Sequence, residues 1–240
     1  MIPLVLVHGF LGSAAQWDGL AGELGQERAV IALDLPGFGA NAHLPPETRI
    51  EGFADWVIAT LRERDVARYH LLGHSMGGMI AQEIARKDAD KLEKLILYGT
   101  GPLGDIPGRF ETMAESRRRA EEDGAATTAA RISATWLLER DACPTYSTVA
   151  EHAALAGLPA ILSALEAMEA WSGAHTLPQI DCDTLIIWGE HDRSYSWSQT
   201  EALWRGVTSS SLCVLPGCAH LAHLEVPELF NAAIHRFLSD

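Results

Sequence analysis

Apolar runs of four to seven residues alternate along this chain with longer segments in which apolar positions recur every three or four residues. Residues 4–8 (LVLVH) form a continuous apolar run that opens into His8-Gly9-Phe10-Leu11-Gly12-Ser13, predicting a buried parallel strand that ends in a glycine-rich loop. Residues 14–24 carry Trp17, Leu20, Ala21 and Leu24 at helical spacing. A second strand is expected over 29–33, ended by the turn Asp34-Leu35-Pro36-Gly37-Phe38-Gly39. Residues 50–64 place Phe53, Val57 and Leu61 on one helical face. Further strand-like runs lie at 69–72, 94–99, 184–189 and 212–215, an amphipathic run follows the third at 79–86, and 227–238 closes the chain as a helix with Pro and Glu in its first turn.

Six strands alternating with helices predict an α/β domain with a mostly parallel sheet covered on both faces. Residues 101–172 break the rhythm: they hold helix-like segments interrupted by Gly124, Pro144, Gly157 and Pro159, and no strand-like run. That insertion reads as a helical cap over the carboxyl ends of the strands, where ligands bind in open α/β sheets. The expected division is a core of residues 1–100 and 173–240 and a cap of residues 101–172. Met113, Trp136, Met168 and Trp171 are candidate pocket residues under the cap, although each would serve equally as packing between cap and core. The run Arg117-Arg118-Arg119 with Glu121-Glu122 reads as a solvated helix face rather than a phosphate site.

Composition narrows the partners. A chain of 240 residues suffices for one large domain with an inserted cap, and a net charge of −14 argues against nucleic acid and anionic membrane surfaces. No stretch approaches the roughly 20 apolar residues of a membrane span, and the start of the chain lacks the basic region of a signal peptide, so a cytoplasmic location is expected. Oligomeric state leaves no trace in the sequence. The four cysteines show no C-x-x-C pairing and read as reduced thiols. Cys213, Cys218, His220 and His223 lie within a short span without the paired spacing of zinc ligands, so no metal and no other cofactor is expected.

The chemistry gathers at Gly73-His74-Ser75-Met76-Gly77, a G-x-S-x-G sequence between a strand-like run and a helix-like one. In that setting Ser75 is the candidate nucleophile of a tight strand-to-helix turn. The backbone N–H groups of Phe10 and Met76 are the candidate oxyanion donors, the second favoured by its position at a helix start. A serine needs a base and the base an orienting acid, in the chain order Ser, acid, His. Asp192, in GEHDR after the fifth strand, and His220, in GCAH after the sixth, fill these positions. Glu190, His191, His223 and Asp34 compete less well. His8 and His74 belong to the loop and turn motifs themselves and read as structural.

HGF (8–10), DLPGFG (34–39), GHSMGG (73–78), GEHD (189–192) and GCAHLAHLEVP (217–227) together resemble the α/β-hydrolase superfamily over nearly the whole chain, weakening in the cap. The resemblance implies an α/β-hydrolase fold, here expected to lack the usual N-terminal hairpin strands. It further implies hydrolysis of a small ester or lactone through an acyl-enzyme on Ser75, and the phrase GHSMGGMIAQEIA is similar to small carboxylesterases and 3-oxoadipate enol-lactonases. Carbon–carbon hydrolases commonly have Asn before the nucleophile and Trp after the catalytic histidine, where this chain has His74 and Leu221. A non-catalytic receptor of the same fold is the alternative from another class.

Overall fold

Leu4 to Val7 have side chains that alternate across a sheet buried on both sides. Val5 and Val7 join a core with Leu71, Phe53 and Ile80, while Leu4 and Leu6 join a second core with Trp17, Leu72, Ile96 and Phe230. Such double burial explains the unbroken apolar runs. A computed structural model, describing residues 1–109 and 111–239, contains a six-stranded sheet. The strands are β1 (Leu4–Val7), β2 (Val30–Leu33), β3 (Tyr69–His74), β4 (Leu92–Tyr98), β5 (Asp183–Gly189) and β6 (Ser210–Leu215). They lie in the order β2-β1-β3-β4-β5-β6, and each pairing is parallel.

The crossover helices cover both faces: α1 (Asp18–Leu24), α2 (Ile50–Glu63) and α3 (Met76–Lys87) in the first half of the chain. Four helices, α4 (Met113–Asp123), α5 (Ala125–Thr135), α6 (Tyr146–Ala153) and α7 (Leu158–Glu169), fall between β4 and β5. The ends of that insertion meet in a one-residue antiparallel bridge, Leu103 with Ser172. The chain returns through α8 (Trp197–Gly206), the short α9 (Ala222–Glu225) and α10 (Pro227–Leu238). Arg117 pairs with Glu169 of α7 and Arg118 with Glu115 and Glu122, so the arginine run is an ion-paired helix face. No single helix among the described residues is long and apolar enough to cross a membrane.

Strand order decides which loops meet. The chain moves from β1 to β2 on one side and then to β3 on the other, which makes the gap between the carboxyl ends of β1 and β3 a topological switch point. The loop after β1 and the turn after β3 come together there. A Cβ on Gly9 would lie 2.8 Å from Ser75 Cβ.

Candidate active site

The β3–α3 turn is built for one geometry. Ser75 sits at φ 56° and ψ −120°, a conformation that L-residues rarely adopt. A Cβ on Gly73 would come within 2.2 Å of the Gly77 carbonyl oxygen, and one on Gly77 within 2.4 Å of the Val7 oxygen, so the turn tolerates only glycine on either side. Ser75 N–H donates to the Tyr98 carbonyl at 2.9 Å and its own carbonyl accepts from Thr100 Oγ1 at 2.8 Å. These bonds hold the strained backbone while the side chain reaches a cavity.

Asp192 and His220 meet as the turns after β5 and β6 converge. His220 Nδ1 donates to Asp192 Oδ2 at 2.8 Å, with both side chains buried. The other carboxylate oxygen accepts from the backbone N–H of Ser194 at 2.7 Å and of Tyr195 at 3.1 Å. Three acceptor contacts fix the carboxylate, and the Nδ1 donation leaves His220 Nε2 as the basic nitrogen. The Tyr195 ring stacks on His220 at 5.9 Å, and its hydroxyl interacts with those of Ser75 and Thr100. Burial pushes the Tyr195 phenol above its usual range, so it stays protonated.

The remaining histidines support rather than replace this pair. His8 Nδ1 donates to the Gly9 carbonyl at 2.8 Å and Nε2 accepts from Leu35 N–H at 3.0 Å, tying the two loops after β1 and β2 together. His74 Nε2 donates to the His220 carbonyl at 3.1 Å, and Tyr98 Oη donates to the same oxygen at 2.9 Å. His223 Nδ1 in turn donates to Tyr98 Oη at 3.1 Å. Burial lowers His8 to about 4 and His223 to about 3, so both are neutral at pH 7. Of the other competitors, Glu190 and His191 are exposed, and Asp34 accepts from Ala14 N–H at 2.8 Å.

The candidate oxyanion amides lie on the loop after β1 and at the start of α3, the two segments that meet at Ser75. Met76 is the first residue of α3, so its N–H has no intrahelical partner. The Phe10 N–H donates to no backbone carbonyl among the described residues. Phe10, Ser75, Met113, Trp136 and Met168 line a cavity of about 50 Å³, together with Ile106, Arg109, Ile132 and Tyr195. Trp171 does not line it: its indole Nε1 donates to Glu83 Oε1 of α3 at 3.0 Å, so this tryptophan packs the end of the insertion onto the core. Arg109 and Tyr195 escape sequence reasoning. Arg109 lies in an irregular Gly- and Pro-rich stretch with no periodicity, whereas Tyr195, three residues past Asp192 on the same turn, carries a signal that could have found it.

A second cavity of about 290 Å³ lies beyond Trp136, lined by Leu11, Gln16, Val149, Leu221 and Leu224 among others. The segment separating the two is clamped. His220 N–H donates to the Trp136 carbonyl at 2.9 Å, and Arg193 donates to the carbonyls of Leu137 and Leu138 at 2.9 and 3.0 Å. Glu225 accepts from Leu138 N–H at 2.6 Å and from Ala219 N–H at 2.8 Å. Among the described residues no three His, Cys, Asp or Glu side chains are grouped to hold a metal ion, and Cys218 Sγ lies instead 3.4 Å from the Leu215 carbonyl.

Comparison with known proteins agrees with this architecture. The profile of the alpha/beta hydrolase family matches residues 4–233. The chain belongs to that family. As a family member it is similar to a thermophilic esterase from Thermogutta terrifontis, with 28% identity and a TM-score of 0.90 over 100% of this chain and 90% of that one. A putative carbamate hydrolase, RutD, from Agrobacterium fabrum is 25% identical over 98% of this chain and 92% of its own length. The enol-lactonase from Burkholderia xenovorans LB400 shares the fold at a TM-score of 0.90 and 22% identity, covering 100% of this chain and 92% of that one. A dihydrolipoyllysine-residue acetyltransferase component of an acetoin cleaving system from Pseudomonas putida is 39% identical over 45% of this chain, which spans 30% of that longer protein. Esterase and hydrolase relatives make this chain a hydrolase.

Proposed function

We propose that this hydrolase cleaves an ester or lactone of a small carboxylic acid through an acyl-enzyme on Ser75. The observation that carries the reading is the buried 2.8 Å bond from His220 Nδ1 to Asp192 Oδ2 beside a strained serine that opens on a cavity. His220 Nε2 takes the Ser75 proton as Oγ attacks the carbonyl carbon. The oxyanion that forms is held by the Phe10 and Met76 amides, each contributing about 3 to 4 kcal/mol. Collapse expels the alcohol, protonated by His220, and water then repeats the sequence to free the acid and restore Ser75. The hydrogen bond from His220 Nδ1 to Asp192 keeps the imidazole in the tautomer this needs. The carbamate hydrolase relative supports a carbamate carbonyl as a second substrate class for the same chemistry.

Hydrolysis of p-nitrophenyl esters from acetyl to octanoyl, by the wild type and Ser75→Ala, tests this. A cavity of about 50 Å³ holds only a few heavy atoms, so acetyl and butyryl esters should exceed octanoyl. The Ser75→Ala variant should lose about a thousandfold or more in kcat. Wild-type rates in that variant would rule Ser75 out as nucleophile.

A further inference from the structure

The cavity beside Ser75, of about 50 Å³, and the second one, of about 290 Å³, have a single lining residue in common among the described residues, Trp136. Trp136 follows the last turn of α5. Ile132, four residues earlier on that helix, lines only the smaller cavity, and Val149 of α6 lines only the larger. The backbone of Trp136 is engaged elsewhere: its carbonyl accepts from His220 N–H at 2.9 Å, and its own N–H donates to the Ser133 carbonyl at 3.1 Å. That leaves the indole to divide the two spaces, half-buried, with its ring 6.2 Å from that of His220. Arg193 and Glu225 tie down the next two residues, so the divider stands on a fixed base. Beyond it, Leu11, Ala15, Val149, Leu221 and Leu224 give the larger cavity a mainly apolar wall, which suits hydrocarbon.

We propose that Trp136 is the specificity-determining residue for acyl length: its indole confines the acyl chain to the small cavity beside Ser75 and shuts it out of a larger apolar space that a longer chain would fill. This role rests on the hydrolase reading and sets its substrate class, esters of short acyl chains. Removing the indole joins the two spaces without cutting the backbone ties, because those ties run through N–H and C=O groups that alanine also has. Each methylene that then moves from water to an apolar wall strengthens binding about fourfold. Trp136 takes no part in the proton relay.

The experiment measures kcat/KM for p-nitrophenyl esters from acetyl to octanoyl in the wild type, Trp136→Ala, Trp136→Phe, Val149→Trp and the double variant Trp136→Ala/Val149→Trp. In Trp136→Ala the ratio of octanoyl to acetyl should rise by about tenfold or more, and Trp136→Phe, which keeps a smaller ring, should fall in between. Val149→Trp, which fills the far cavity, should leave the wild-type ratio as it is and cancel the gain in the double variant. A structural role for Trp136 would lower every ester in step and leave the ratio intact, and that result overturns the proposal. So does a gain that survives Val149→Trp. Should Trp136→Ala fail to fold, the other two single variants decide: an unchanged ratio in Trp136→Phe, or a loss of octanoyl turnover in Val149→Trp, means that the indole is no divider. A wild type that hydrolyses no ester of the series would instead overturn the hydrolase reading itself, and the role of Trp136 with it.

Discussion

At Ser75 the backbone adopts φ 56° in a chain where only three other described non-glycine residues have positive φ, Leu11, Asp65 and Arg140. Leu11 belongs to the loop that faces Ser75, so two of the four strained positions lie on the two loops that carry the proposed chemistry. Beneath them the histidines are held neutral by burial, and that sets a pH limit on the fold. His8 and His223 titrate at about 4 and about 3 when folded, against 6.5 unfolded. Between those values the unfolded chain binds more protons, so the stability they confer is complete above pH 6.5 and declines as pH falls towards the folded values. At pH 5 each should cost about 2 kcal/mol. Thermal melts should therefore show a lower Tm at pH 5 than at pH 7, and an unchanged Tm would contradict neutral burial. Ser75, Asp192 and His220 were legible because each follows a strand in a turn of distinctive composition. Trp171 was not, because side-chain type does not reveal which neighbour an aromatic ring faces.

Among the elements, the boundaries that sequence periodicity missed have physical causes. The helix α3 begins at Met76 rather than at 79, because Gly77 and Gly78 carry no apolar signal although the turn requires them. The strand β6 begins at Ser210 rather than at 212, because an edge strand tolerates polar residues on its exposed side. Residues 14–17 form a tight 3₁₀ turn ahead of α1 instead of the first turn of one helix. The bonds from Arg193, Glu225 and His220 to residues 136–138 were invisible, since they join segments more than fifty residues apart. They make the proposed cap and the acid and histidine turns one mechanical unit at that end. Glu225→Ala leaves two partly buried amides without their acceptor, at about 1 kcal/mol each. Amide hydrogen exchange at Leu138 and Ala219 should accelerate in this variant, with β1 and β3 still protected; unchanged exchange would show that the carboxylate does not hold the segment.

For the molecule as a whole, the parallel sheet was readable because its four inner strands, buried on both faces, are nearly continuous apolar runs, while the edge strands β2 and β6 are only partly buried. Strand order then brings the loop after β1 against the turn after β3, while the turns after β5 and β6 deliver Asp192 and His220 to the same edge. Residues from four separate stretches thus converge by topology rather than by sequence proximity. If that convergence serves acyl transfer, Ser75 must carry the acyl group transiently. Rapid mixing with p-nitrophenyl acetate, acid quench and peptide mass spectrometry would catch it there. A burst of p-nitrophenol close to one equivalent per chain is expected, with an acetyl group on the peptide holding Ser75, both absent in Ser75→Ala. An acetyl group on another residue, or turnover with the Ser75 peptide never modified under conditions that trap the intermediate, would contradict an acyl-enzyme on Ser75.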